Sequence, residues 1–380
     1  MEDIPYGHQT IDEQDRVSVD NVLKSNWLTT GPKVPEFESE IEKYIGCRHA
    51  VVVNSGTSAL DIAVQTLNLP KGSEVITTPF TFAATNNALL YHDLKPVFAD
   101  IERESRNIDP DRIREKISRK TRAIIFVDYA GQPCRINEIR EIASEHDLPL
   151  IEDACHAFGA SYQGKKIGSC AADMTVFSFH PVKPITTGEG GAVVTNNPDY
   201  AKKASLLRTH GIDKGAWDRF GPDATWAYDM VELGRNYRMT DIQAALGVSQ
   251  IKKTDSFITA RNRIARMYSD LLADVPFIET SVTMQGVLHG WHIYTILLKN
   301  MSRNKFFAFM KKQGVGVNVH YIPTYHLSYY RRNVPVNPDD YPVTEDVFNR
   351  IITLPIFPSL TDDKIEYIAE CIKKAGKMVV

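Results

Sequence analysis

The chain contains no apolar run approaching the roughly 20 residues that a membrane-spanning helix requires, so no membrane partner is expected. Its start, Met1-Glu2-Asp3-Ile4-Pro5, is acidic and polar, unlike a secretory leader. Cysteine is sparse: Cys47, Cys134, Cys155, Cys170 and Cys371 are scattered, odd in number and form no C-x-x-C pair. That argues against a disulfide framework and a zinc site and favours a reducing cytoplasm; no metal is expected. An excess of one charge is lacking too. A net charge of −3 is too small and too mixed to suggest nucleic acid or an anionic membrane surface. Two nucleotide-binding signatures are absent. No G-x-x-x-x-G-K-[ST] occurs, which excludes a P-loop. The nearest approach to G-x-G-x-x-G, Gly188-Glu189-Gly190-Gly191-Ala192-Val193, lacks the third glycine and runs into a strand, not a helix.

What is present is ordinary globular material: 380 residues, 43% apolar and 24% charged, enough for a large core and two domains. The division is expected as 1–245 and 246–380, the second including a connecting helix. Strand-like runs at 50–53, 74–78, 96–100, 123–127 and 148–151 are interleaved with helical segments. One helix fills 59–67, and another carries Ile136, Ile139 and Ile142 on one face. The run 123–127 is apolar throughout, as for a strand buried on both sides. This alternation predicts an α/β fold, a mostly parallel sheet flanked by helices, with ligands beyond the carboxyl ends of its strands. The segments 55–58, 128–132 and 153–156 all fall at that edge. Further on, the pattern predicts a surface loop over 212–230 and one long helix from 241 towards 273. A smaller C-terminal α/β unit should carry strands at 291–298, 315–321 and 351–354, with helices at 305–313 and from Asp362.

The stretch 176–192 sets one lysine, Lys183, between an apolar run and a Gly-Glu-Gly-Gly turn. A lysine in such a loop is most often simply exposed. One whose charge is removed can instead serve as a Schiff-base amine. Likewise, small polar residues between strand 50–53 and the following helix can present free N–H groups to an anion, although a plain connecting turn is the commoner meaning. Their convergence with a strand-terminal acid shifts the balance. Pyridoxal phosphate (PLP) needs a lysine for its aldehyde, a carboxylate against its pyridine nitrogen, and amides and hydroxyls for its phosphate. Lys183, Asp153, and Gly56 and Thr57 with Ser178 can fill these roles.

The same segments resemble the DegT/DnrJ/StrS-type nucleotide-sugar aminotransferases. The resemblance lies in Thr30-Gly31-Pro32 and in 54–60 (NSGTSAL), 78–85 (TPFTFAAT) and 152–159 (EDACHAFG). It continues in 176–196 (VFSFHPVKPITTGEGGAVVTN), 236–247 (NYRMTDIQAALG) and 354–358 (LPIFP), nearly the whole chain. The Lys-Pro-Ile-Thr-Thr sequence, Asp128-Tyr129-Ala130-Gly131 and His320-Tyr321-Ile322-Pro323 bring it nearest the UDP-sugar 4-aminotransferases of the pseudaminic-acid route. The resemblance implies an aspartate-aminotransferase-like fold (PLP fold type I), and a homodimer with active sites at the subunit interface. It makes Lys183 the Schiff-base and proton-shuttling lysine and Asp153 the partner of the pyridine nitrogen. Phe82 would stack on the ring, where relatives often carry Trp or Tyr, and His156 would help place Asp153. Gly56, Thr57 and Ser178 would hold the phosphate, joined by Asn236 from the partner subunit. Thr30, His180, His320 and Tyr321 are candidates for the substrate side; His320 and Tyr321 are equally open to a packing role. Cys155, where relatives usually have a small residue, is expected to pack and not to act as a nucleophile.

The implied activity is transfer of an amino group from L-glutamate to a nucleotide-linked 4-keto-6-deoxy hexose, in the cytoplasm. Variants of the same chemistry would aminate the 3-position of a dTDP-sugar or dehydrate a sugar. Dehydrating relatives replace the lysine with histidine, and Lys183 is present here. A PLP-binding regulatory or scaffold protein without turnover is the alternative of another kind.

Overall fold

Successive residues of the run Thr121–Val127 point to opposite faces of a sheet, and both faces are covered. The computed structural model describes residues 3–169, 172–213 and 226–378. In it Ile124 and Phe126 pack with Phe37, Ile41, Ile139 and Ile142 from helices Lys33–Ile45 and Ile136–Glu145. Ala123 and Ile125 turn the other way, onto Ala59, Ile62 and Ala63 of helix Gly56–Leu67. A strand with no wet face must be apolar at every position, which is why this run shows no alternation.

The first strands are β1 (His49–Val53), β2 (Glu74–Thr77), β3 (Lys95–Phe98), β4 (Thr121–Val127) and β5 (Leu150–Asp153). The short β6 (Ser161–Tyr162) and β7 (Lys165–Lys166) follow, then β8 (Met174–Ser178) and β9 (Gly191–Thr195). Seven of them form one sheet in the order β1-β9-β8-β5-β4-β2-β3. From β8 to β3 every pair is parallel, while β9 runs antiparallel to both neighbours. The expected mostly parallel sheet with flanking helices is therefore observed. Its register sets Val127 beside Asp153 and Asp153 beside Val176, so β4 and β5 end together and β8 runs two residues further at the same edge.

The C-terminal part contributes β10 (Ile278–Thr280), β11 (Val287–Leu288), β12 (Tyr294–Leu298) and β13 (Ile351–Leu354). β10, β12 and β13 make an antiparallel sheet, whereas β11 pairs with β6. Its core includes Ile264, Phe306, Met310 and Ile368, and also Ile4 from the far end of the chain. Ile4 N–H donates to Gly314 O at 2.8 Å, and Gly316 N–H donates to Ile4 O at 2.7 Å.

Three expectations needed revision. The single helix over 241–273 is two, Asp241–Ile251 and Thr254–Leu272. Between them the Thr254 hydroxyl takes the Ile251 carbonyl at 2.7 Å, an acceptor that a continuing helix would give to a backbone N–H. The strand expected over 315–321 is reduced to isolated bridges, Ile4 with Val315 and Asn318 with Thr353. Its backbone groups are taken singly by the N-terminal segment and by β13 instead of by one continuous partner. The strand expected from Trp291 begins at Tyr294 because residues 290–292 are bound to the turn at Ala130 and Gly131. Most of the loop expected over 212–230 lies outside the described residues.

Candidate active site

Beyond β8 the chain turns sharply and returns as β9. Lys183 N–H closes a turn on His180 O at 2.9 Å, and Phe179 is held on both sides, its N–H by Gly190 O and its carbonyl by Thr187 N–H. This leaves Lys183 on a rigid corner at the sheet edge. Gly191 explains how β9 can sit there. A Cβ on it would lie 2.5 Å from Ser55 O and 2.8 Å from Gly56 N, inside contact distance of backbone that cannot move aside.

The turn that Gly191 presses on is the start of helix Gly56–Leu67. Ser55 Oγ caps it by accepting Ser58 N–H at 3.0 Å, and Ser58 Oγ donates to Asn54 Oδ1 at 2.6 Å. A Cβ on Gly56 would lie 2.8 Å from Ser178 Cβ, so bare backbone faces the Ser178 hydroxyl. The first N–H groups of a helix and its positive dipole end make an anion cradle when such a hydroxyl converges on them.

Asp153 closes β5, buried. Its Oδ2 accepts from Thr85 Oγ1 at 2.6 Å, and Thr85 is linked in turn to Thr81 Oγ1 at 2.8 Å. Its Oδ1 accepts Cys155 N–H at 3.2 Å. A carboxylate accepting two such bonds is fixed in direction before any ligand arrives.

Lys183 and three groups close to it are each pushed by burial towards the neutral form. The lysine ammonium is pushed down by burial. His156 lies well below the usual histidine range, chiefly from burial and then from the nearby lysine charge. His156 Nδ1 accepts Ala130 N–H at 3.2 Å, so the ring proton resides on Nε2, which faces Tyr321 Oη at 2.9 Å. Tyr321, its phenol pushed well above the usual value by burial, stacks on that histidine with ring centroids 5.9 Å apart. His292 is likewise driven down by burial, and its Nε2 stands 3.5 Å from Lys183 Nζ.

These elements enclose one cavity of about 350 Å³. Lys183, Asp153, His156, Gly56, Thr57, Phe82, Ser178, His180, His320 and Tyr321 all line it, so ten sequence-derived candidates are brought together. Phe82 sits at its mouth with its ring 6.0 Å from that of Tyr321 and is 59% exposed. Two candidates are not in it. Thr30, at a positive φ of 56°, lines a separate cavity of about 730 Å³ with Arg208 and Met239. Asn236 pairs with Thr209 in a bridge beside that second cavity's lining. Cys155 lines the first cavity half-buried, with burial pushing its thiol well above its usual value, as befits a packed and unreactive side chain. Sequence reasoning missed Tyr6, Thr85 and His292. Thr85 could have been found as the hydroxyl one helical turn after Thr81; Tyr6 and His292 carry no local signal.

An amine whose charge burial disfavours, a pre-aimed carboxylate and a glycine-bared helix N-terminus in one cavity define a PLP-dependent enzyme of the fold type I class. The profile of the DegT/DnrJ/EryC1/StrS aminotransferase family matches residues 9–373, and the chain belongs to that family of PLP-dependent aminotransferases. It is 42% identical over 335 residues to the UDP-4-amino-4,6-dideoxy-N-acetyl-beta-L-altrosamine transaminase of Campylobacter jejuni, covering 87% of this chain and 86% of that one. Helicobacter pylori PseC, an aminotransferase in pseudaminic acid biosynthesis, superposes with a TM-score of 0.93 at 33% identity over 99% of this chain and 100% of that one. The PLP form of Streptococcus pneumoniae Spr1654 gives 0.91 at 30% identity, covering 100% of both chains.

Proposed function

We propose that the enzyme transfers the amino group of L-glutamate to the keto carbon, at the 4-position, of a UDP-linked 4-keto-6-deoxy hexose for surface-glycan synthesis. The observation that carries the chemistry is the shared cavity of Lys183, Asp153 and the Gly56–Ser178 cradle. The named activity of the Campylobacter relative supports the substrate class. When bound, the cofactor supplies an aldehyde to carry the amino group and a ring that accepts electrons from the substrate carbon.

Each role then follows from the chain's own groups. Lys183, whose ammonium burial disfavours, would hold the aldehyde and carry the proton to and from the substrate carbon. Asp153, aligned by Thr85 and the Cys155 amide, would pair with the pyridine nitrogen and keep it protonated. Gly56, Thr57 and Ser178 would hold the phosphate, and Phe82 would pack on the ring. His156 holds its neighbourhood by bridging Ala130 and Tyr321. His180, exposed at the mouth, and His320 lie on the substrate side.

The working unit in this reading is a homodimer, with residues 1–245 and 246–380 as its large and small domains. Asn236 is offered to the partner's phosphate, and Thr30 would meet substrate only across a subunit boundary. Phe82 and the exposed apolar side chains Met230, Val231 and Leu233 are the kind of surface a second copy would cover. The buried thiols Cys47, Cys134 and Cys371, in no disulfide among the described residues, suit a cytoplasmic setting. Purified protein given glutamate and a panel of UDP- and dTDP-linked 3- and 4-ketosugars should yield a UDP-4-amino product identified by NMR. Lys183→Ala protein should not turn over repeatedly. A 3-amino dTDP product, or no spectral change with glutamate, overturns the proposal.

A further inference from the structure

His292 has no role in the chemistry assigned so far, yet it touches the lysine on which that chemistry depends. It stands two residues before β12, where the C-terminal part docks on the turn at Ala130, and is 5% exposed. Each of its polar atoms has a partner. Its N–H donates to Ala130 O at 2.9 Å, and its carbonyl accepts from Arg261 Nη1 at 3.2 Å. Its Nδ1 lies 3.1 Å from Val182 O, and its Nε2 lies 3.5 Å from Lys183 Nζ. A carbonyl can only accept, so Nδ1 carries the proton and Nε2 presents a lone pair to the lysine. A second proton on the ring is opposed by burial and by the groups that face it, Lys183, His156, Arg261 and His320. Arg261 is itself buried, and it also donates to Trp291 O at 2.9 Å and Ile356 O at 3.1 Å, so the backbone carrying the histidine is clamped.

We infer that His292 is a positioning residue for Lys183, its Nε2 accepting a hydrogen bond from the lysine amine and holding it towards the cavity whenever that amine is free. The separation is at the long end for a hydrogen bond, which suits a holder that must release the amine each cycle. The inference rests on Lys183 being the cofactor-holding amine.

Two substitutions separate holding from packing. His292→Phe keeps an aromatic ring and removes the acceptor; His292→Gln loses the ring and can set an amide oxygen near the position of Nε2. In cofactor-free protein, competitive acetylation over a pH series, read residue by residue by mass spectrometry, gives the apparent pKa of Lys183. A neutral acceptor favours the ammonium, so His292→Phe should lower that value by about one unit while His292→Gln leaves it within about 0.3. His292→Leu, a second acceptor-free variant, should repeat the Phe result should that variant not fold. In the loaded enzyme, the acceptor-free variants should slow the glutamate half-reaction about tenfold with KM for glutamate little changed, and His292→Gln should restore most of it. An unchanged Lys183 value in the acceptor-free variants, or Gln more damaging than Phe, overturns the inference. The labelling contains no cofactor, so it stands apart from the Lys183→Ala turnover test: each can fail without the other.

Discussion

The two ends of the cavity are built by different means. At the Gly56 end, consecutive residues 54–58 supply most of the machinery, with Ser178 and Gly191 pressed against them from neighbouring strands. Its groups are backbone N–H and hydroxyl donors, made to meet a negative charge. At the Lys183 end, the neighbours come from distant segments: His292 lies 109 positions from the lysine, and Tyr321 lies 165 from His156. There every group is pushed towards neutrality. An anion can be held by local geometry, because a capped helix start carries its own donors. Proton handling needs a dry setting in which charges are disfavoured, and only packing from several segments provides that.

Substitutions at each end should therefore fail differently. The largest effect is expected for Asp153→Asn, which keeps the shape and its neighbours but removes the charge from the ring-facing acid. The glutamate half-reaction, followed by stopped-flow absorbance, should slow on the order of 10³-fold, with cofactor affinity changed far less. A comparable loss of cofactor would blur the distinction between the ends. Next, Gly191→Ala drives a methyl group against Ser55 and Gly56 and should disturb the anion end alone. Overpacking of about 1–3 kcal/mol corresponds to roughly 5–150-fold weaker cofactor retention, measurable by fluorescence during dialysis. The apparent pKa of Lys183 should stay where it is.

The smallest effect is in the pH dependence of stability, where neutral groups oppose each other. His320, with its pKa pushed from 6.5 to about 4 by burial, is neutral in the fold but charges in the unfolded chain. Its contribution is full above about 6.5 and is lost as pH falls towards about 4; His156 and His292 act in the same direction. Glu152, beside Asp128 in the sheet behind the site, is raised from 4.5 to about 7 by burial, and Asp128 is raised as well. That contribution is full below about 4.5 and is lost as pH rises through about 7. The two slopes overlap and partly cancel. In urea titrations, His320→Gln should make stability decline more with rising pH across this window, and Glu152→Gln should make it climb more. Each slope should change by at most about 1.4 kcal/mol per pH unit. Parallel curves for both variants would mean that neither group is held neutral.

Much of this was legible before the fold was in hand. Asp153 could be read because it ends an apolar run, Gly56 because it opens a helix after one, and Lys183 because it sits in a turn-rich stretch after another. His292 was not legible, since nothing in residues 289–294 marks a histidine that faces a lysine in another part of the chain. Nor was the break at Lys253, where a threonine hydroxyl outcompetes the next helical hydrogen bond. Asn236 and Thr30 were read from motifs, yet in a single chain they lie away from the cavity that gathers the others.

By itself the sequence determined the order of strands and turns, and with it that an acid, an amine and a bare helix start would share one edge. Parallel strands place their carboxyl ends on the same side, so residues following each strand must meet there. Only the tertiary structure decided the state of those groups: which nitrogen of His156 and of His292 carries the proton, and how dry the lysine is. Those depend on which carbonyl or N–H faces each ring and on how deeply it is buried, and both are set by segments far apart in the chain.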